Sequence, residues 1–282
     1  MKITLVPTAG LCNRINAIVS AFALCHKEPQ ISIDIFWEKN KECYADFTDL
    51  FLPIENNQIH IYPLTQFYLK PARKRNLFIP AYLRKIYFDN TYSGSKISNQ
   101  PIGNWIIDNN RIYIESSNRF CAIPFHGDIS DLFKPTNEIE QIIKEVTNQY
   151  TENTIGVHIR RTDNSYAIHN SPISLFYQYM DNEIEKNSNT KFYIASDDKS
   201  VKNNIITRYG NRIITKEWKL ERYSIQGMKD AVAELYCLSR TNKLIGSPNS
   251  TFTILASKLN NKPLINKELI EKYTDCSFSW NL

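Results

Sequence analysis

The residues best placed to do chemistry lie together in Ile155-Gly156-Val157-His158-Ile159-Arg160-Arg161-Thr162-Asp163. The first half alternates β-branched residues with small or polar ones, which predicts a strand. Alternation puts His158 and Arg160 on one face and sends Arg161 to the other. A strand ending in two arginines and an acid concentrates positive charge where an α/β sheet opens its ligand crevice. The guanidinium fork matches two phosphate oxygens at once, so the chemistry indicated is anion binding, with Arg160 facing the ligand. Arg161, on the opposite face, is expected to be structural.

Two later segments point to related chemistry. Lys191-Phe192-Tyr193-Ile194-Ala195-Ser196-Asp197-Asp198 reads as a strand running into paired acids. Asp197 suits either a crevice residue or a turn former, and Asp198 suits a helix cap. Glu234 follows on a helix, one turn after Asp230 on the same face. Leu244-Ile245-Gly246-Ser247-Pro248-Asn249-Ser250-Thr251-Phe252-Thr253 then predicts a strand, a glycine turn and hydroxyls at a helix start. Free amides, the positive helix end and side-chain donors make Asn249, Ser250, Thr251 and Phe252 a candidate anion site.

The elements that must position these residues follow a regular rhythm from Thr151-Glu152-Asn153-Thr154 onward, which marks the expected boundary between domains 1–150 and 151–282. Strands are predicted at 155–160, 191–195, 212–215 and 243–246, with helices near 174–186, 198–208 and 228–240. Another helix opens near Asn249, and Pro263 to Ile265 closes the sheet. In the first half, a strand at 2–6, a turn containing Gly10, a helix from Asn13 as cap and a strand at 31–36 open a parallel α/β unit. Short strands are expected at 112–114 and 121–125. Ile139, Ile142, Ile143 and Val146 form one helical stripe. Residues 64–104 read as helices and irregular structure.

Composition is that of an ordinary soluble protein: 282 residues, 42% hydrophobic, 22% charged, net charge +5. Such a modest charge, without a nucleic-acid motif, argues against a nucleic-acid partner. The basic residues Lys70, Arg73, Lys74, Arg75, Arg84 and Lys85 alternate with Phe67, Tyr68, Phe78, Tyr82 and Tyr87, a pattern suited to an anionic lipid surface or an acidic acceptor. Cys12, Cys25, Cys43, Cys121, Cys237 and Cys276 show no metal-ligand spacing and read as reduced thiols of a cytoplasmic protein. Pro7, Asn13 and Arg14 cut the first apolar run too short for a signal peptide, and no membrane-spanning run is present.

Taken in order, His158 to Asp163, Phe192 to Asp198, and Glu234 to Ser239 with Asn249 to Thr253 resemble the three peptide motifs of the superfamily of α1,2-, α1,6- and protein O-fucosyltransferases. Gly10-Leu11-Cys12-Asn13-Arg14-Ile15 resembles that superfamily's glycine-rich loop, with Cys12 where glycine is usual. The resemblance implies an α/β, GT-B-like fold of two Rossmann-like domains facing each other across a cleft. It implies inverting transfer from GDP-fucose with no metal and no other cofactor, to an acceptor read here as a glycan or glycolipid; the chain itself reads as cytoplasmic, either soluble or peripheral at the inner face of the membrane. By position, Arg160 would hold the β-phosphate and Ser250 would add a phosphate contact. His158 and Glu234, which stands where the family usually has Asp, would read guanine. Asn13 and Arg14 would approach the donor, and Arg161 or Arg14 would join Arg160 in stabilising the departing GDP. The glutamate that α1,6 enzymes carry after the first motif is replaced here by Tyr166-Ala167-Ile168-His169, so Asp163 and His169 are the candidate bases. No Asp-Xaa-Asp occurs. The same fold would also suit another GDP-sugar, or a module that binds nucleotide or glycan without turning it over.

Overall fold

In a computed structural model of the protein, residues 1–106, 109–162, 165–219 and 221–264 are described. The strands assort into two wholly parallel sheets. The first contains β1 (Lys2–Pro7), β2 (Ser32–Trp37), β3 (Ile59–Pro63), β4 (Asn90–Ser93) and β5 (Arg111–Ser116), in the order β3-β2-β1-β5-β4. The second contains β6 (Thr154–Ile159), β7 (Lys191–Ser196), β8 (Ile213–Ile214) and β9 (Lys243–Gly246), in the order β8-β7-β6-β9. Each order runs outward from its first strand and then returns to that strand's other side. This is the Rossmann-like pattern, and it places a topological switch point between β1 and β5 and another between β6 and β9.

Parallel strands need crossovers, and the amphipathic segments supply them. Helix Ile173–Lys186 buries Phe176 and Met180, and helix Lys199–Tyr209 buries Ile205 and Tyr209. All four join Ile155, Val157, Ile159, Phe192, Ile194 and Ile245 in one core. Every residue of β6 is buried, polar His158 included. Its alternating sequence therefore does not mark a half-exposed strand: a central parallel strand is covered on both faces.

The chain divides into two compact units, Met1–Gly127 with Asp131–Lys134 and Glu221–Met228, and Asp128–Ser130 with Pro135–Leu220 and Lys229–Leu282. The division falls earlier than residue 150. Helix Asn137–Thr147 lies with the second unit, where Glu140 receives both arms of Arg240 at 3.0 and 2.7 Å and Glu138 pairs with Lys229.

Other expectations also need correction. The first helix runs Leu11–Lys27 with Gly10 as its N-cap, so Asn13 sits inside the first turn. Residues 121–125 form no strand. The Phe120 and Cys121 amides instead donate to the Ser20 hydroxyl, and Arg119 reaches the Ile123 carbonyl. Strands β3 and β4 were not foreseen. Both lie at sheet edges and are mostly exposed, which removes the apolar pattern that reveals central strands.

Candidate functional site

The carboxyl ends of β6, β7 and β9 bring the three motif segments together. Where β6 ends, the Arg160 amide donates to Ser247 Oγ at 3.0 Å, and the Ser247 amide donates to the His158 carbonyl at 3.0 Å. Ser171 Oγ donates to Ser247 Oγ at 3.2 Å. From β7, Asp197 collects the turn after β6. One oxygen accepts the Arg161 amide at 2.7 Å, and the other accepts the Thr162 hydroxyl at 2.6 Å and amide at 3.3 Å. The Arg160 Nε lies 3.5 Å from that second oxygen. Asp197 is thus both turn former and crevice residue, and Arg160 stays partly exposed at the sheet's edge.

Helix Thr251–Leu259 closes the group. Ser250 is its N-cap and accepts from the Thr253 amide. Asn249 takes a positive φ of 52°, a region asparagine tolerates better than most residues. The helix can approach β9 only because residue 246 is glycine: a Cβ there would lie 2.2 Å from Thr253 Cγ2. This approach places Thr253 Oγ1 2.7 Å from His158 Nδ1, and the Phe252 ring stacks on the imidazole at 5.0 Å. In the first turn the Thr253 amide is taken by the Ser250 hydroxyl, while the Thr251 and Phe252 amides have no intrahelical acceptor.

Electrostatics keep this imidazole neutral. His158 is only 4% exposed. Burial, with the Arg160 charge adding to it, lowers its pKa to about 3. Glu234 is also buried and forms an ion pair with Lys202 at 3.1 Å. Burial pushes the Glu234 carboxyl up, and Lys202 opposes that shift. Lys202 was missed in the sequence. The signal available was its place one turn into the helix capped by Asp198, on the side that returns to the sheet.

Several expected site residues have other duties in the structure. Arg14 is 0% exposed. Its Nε donates to the Ala9 carbonyl at 2.8 Å, Nη1 to the Glu38 carbonyl at 2.5 Å and Nη2 to Asn40 Oδ1 at 3.0 Å, with the guanidinium over the Trp37 ring. A cation enclosed in this way is a brace of the first unit, not a phosphate ligand. Asn13 Oδ1 is buried without a hydrogen-bond partner. Asp198 caps helix Lys199–Tyr209, accepting from the Ser200 and Val201 amides. Arg161 donates to the carbonyls of Arg160 at 2.8 Å and Ser171 at 2.6 Å and lies over Phe176, so backbone carbonyls, not a carboxylate, hold its side chain. His169 is exposed on the short helix Ser165–Asn170. Asp163 lies outside the described residues. Among the described residues no group of His, Cys, Asp or Glu could hold a metal ion. Five cysteines (Cys12, Cys25, Cys43, Cys121 and Cys237) are free and buried, and no described helix is long and apolar enough to cross a membrane.

Together the fold and site define an α/β, Rossmann-like class of protein in which His158, Arg160, Ser247 and the Ser250-capped helix converge at the second sheet's switch point. No protein-family model matches the chain, and no curated protein matches it in sequence. Its fold matches solved fucosyltransferases. NodZ from Bradyrhizobium aligns with a TM-score of 0.60 and 16% identity over 92% of both chains. FUT1 of Arabidopsis thaliana, solved as a variant with GDP, aligns at 0.59 and 16% identity, covering 93% of this chain and 69% of that one. POFUT1 in complex with GDP-fucose aligns at 0.53 and 12% identity over 93% and 95% of the two chains. The chain has the GT-B-like, two-unit fold of these fucosyltransferases.

Proposed function

We propose that this chain is a glycosyltransferase that moves fucose from GDP-fucose to a glycan or glycolipid hydroxyl, with inversion and without a metal ion. The observation that carries the reading is the convergence of His158, Arg160, Ser247 and the Ser250-capped helix at one switch point. Solved relatives of the fold include NodZ soaked with GDP-fucose. Breaking the sugar–phosphate bond leaves negative charge on GDP. The Arg160 fork and the first amides of helix Thr251–Leu259 are the groups suited to receive it. Neutral, buried His158, stacked on Phe252 and bonded to Thr253 Oγ1, holds the first turn of that helix against the end of β6. Glu234 suits the adjacent N–H donors of a guanine edge, which uracil does not reproduce.

Thermal shift with GDP and UDP tests the reading. A ligand at a hundred times its Kd stabilises by about 2.7 kcal/mol. GDP is expected to raise Tm, UDP is not, and EDTA should leave the GDP shift intact. Equal shifts for both nucleotides, or none, would end the donor assignment.

The same reading extends to where the acceptor is met. Helix Ile79–Tyr87 presents Tyr82 (67% exposed) and Ile86 (70% exposed), and exposed Leu77 and Phe78 precede it with positive φ of 52° and 56°. Lys74, Arg75 and Lys85 are exposed around them. Apolar residues ringed by cations suit the surface of an anionic lipid bilayer. The protein should float with vesicles containing acidic lipid, and Lys74→Glu with Lys85→Glu should release it. Equal flotation on neutral vesicles would return the patch to ordinary solvated surface.

A further inference from the structure

The inner face of the same helix carries a different feature. Arg84 is 5% exposed, and its Nε and Nη1 have no hydrogen-bond partner. Its guanidinium lies 4.1 Å over the Tyr113 ring, and Arg84 is one of the residues lining a cavity of about 320 Å³. A buried cation with unsatisfied donors is costly to leave empty-handed. Tyr113 relieves part of that cost, with its ring under the guanidinium and a side-chain hydrogen bond to it, but Nε and Nη1 stay unsatisfied. The Tyr113 hydroxyl donates to the Leu69 carbonyl at 2.9 Å, and burial pushes its pKa far above the phenolic range, so it stays neutral. Glu115 is held by Arg73 Nη2 at 2.6 Å.

The rest of the wall suits a sugar. Thr91 lies beside Tyr113 and Ser93 beside Glu115 in the parallel register of β4 and β5, and all four line the cavity. A second cavity of about 230 Å³ shares Arg73, Ser93 and Glu115 with the first and reaches Thr8 and Ala9, at the switch point between β1 and β5. The two spaces form a polar trough from that switch point to Arg84, and both are lined only by residues of the first unit. The Thr91 and Ser93 hydroxyls and the Glu115 carboxylate fit a saccharide, and the two unsatisfied guanidinium nitrogens of Arg84 add the demand for one negative charge.

We infer that the trough at the carboxyl ends of β1, β4 and β5 binds an acidic sugar residue, its carboxylate on Arg84 and its hydroxyls on Thr91, Ser93 and Glu115. That this sugar belongs to the acceptor rests on the transferase reading above, whereas its binding does not. The acceptor class then becomes a uronate-type or otherwise carboxylated glycan. Inorganic phosphate satisfies the arginine but leaves the Thr91 and Ser93 hydroxyls unused.

Titration of the full chain with D-glucuronate, D-glucose and inorganic phosphate, followed by ligand-observed NMR, tests the inference. Glucuronate is expected to bind, glucose and phosphate to bind far more weakly, and Arg84→Gln to weaken glucuronate by about tenfold or more. Arg84→Lys should restore only part of the loss. Glucuronate that fails to bind, binds Arg84→Gln as tightly, or is matched by phosphate overturns the inference. Should Arg84→Gln not fold, wild-type amide signals of Thr91, Ser93 and Glu115 must shift with glucuronate while those of His158 to Arg160 do not; the reverse pattern refutes the site. A parallel GDP titration separates the two readings. Glucuronate binding without GDP binding sinks the transferase and leaves the acidic-sugar site standing. GDP binding without glucuronate binding does the opposite.

Discussion

The turn after β1 and the turn after β6 begin from the same plan, a parallel strand at a switch point followed by a loop with arginine, and end with opposite uses of it. After β1, Arg14 folds back under its own loop, over Trp37, and its donors go to Ala9, Glu38 and Asn40. After β6, an acid from the neighbouring strand performs the bracing: Asp197 takes the amides of Arg161 and Thr162, and Arg161 turns inward over Phe176. Arg160 is thereby held at the sheet's edge with part of its guanidinium exposed. A guanidinium keeps part of its surface exposed where something else holds the loop, and becomes part of the scaffold where nothing else does.

Substitution of these arginines is the sharpest way to break that contrast. Arg14→Ala should have the largest effect on stability, roughly 3–5 kcal/mol, because it leaves a cavity beside Trp37 and unpaired carbonyls at Ala9 and Glu38. Chemical denaturation measures it, and a variant as stable as the wild type would contradict the bracing role. Arg160→Ala should instead keep its Tm and lose turnover by a hundredfold or more, roughly 3–4 kcal/mol in the barrier, with Lys a poor substitute. Arg161→Ala should fall between them, losing stability by about 1–3 kcal/mol and turnover less than Arg160→Ala does. If Arg160→Ala melts early while Arg161→Ala stays folded and inactive, the two roles are reversed.

An effect confined to acid pH comes from His158. Its folded pKa of about 3 lies below the value near 6.5 expected in the unfolded chain. As pH falls, the unfolded state takes up this proton first. The associated stability is therefore complete above about pH 6.5 and is lost progressively as pH drops towards 3. Wild type should lose up to about 1.4 kcal/mol more per pH unit in that window than His158→Gln does. Parallel pH–stability curves for the two proteins would remove the case for a buried neutral imidazole.

The second unit was largely legible because its strands are apolar and its helices amphipathic at the spacing the fold requires. Helix Ile173–Lys186 and strand Lys191–Ser196 fall within a residue of their expected limits. The different surroundings of Arg160, beside Asp197, and Arg161, over Phe176, arise beyond the last residue of β6, so they belong to the turn and not to the strand's two-residue period. Edge strands β3 and β4 were not, because they bury too little to show a pattern. Cys121 to Phe125 misled for the converse reason: apolar residues packed by a loop look like a strand.

What the sequence by itself determined is which residue types stand at the ends of which strands, together with the order of its motifs. Those properties are local, following from backbone period, capping and turn chemistry. Only the tertiary structure decided how each charge is used. Lys202 meets Glu234, Asp197 closes the loop beneath Arg161, Arg14 is enclosed, and Arg84 remains buried with two nitrogens unpartnered. Partners such as Asp197 for Arg161 and Trp37 for Arg14 come from distant parts of the chain. Whether a guanidinium binds a ligand or braces a loop depends on burial and on competing acceptors, and both arise only when the chain has packed.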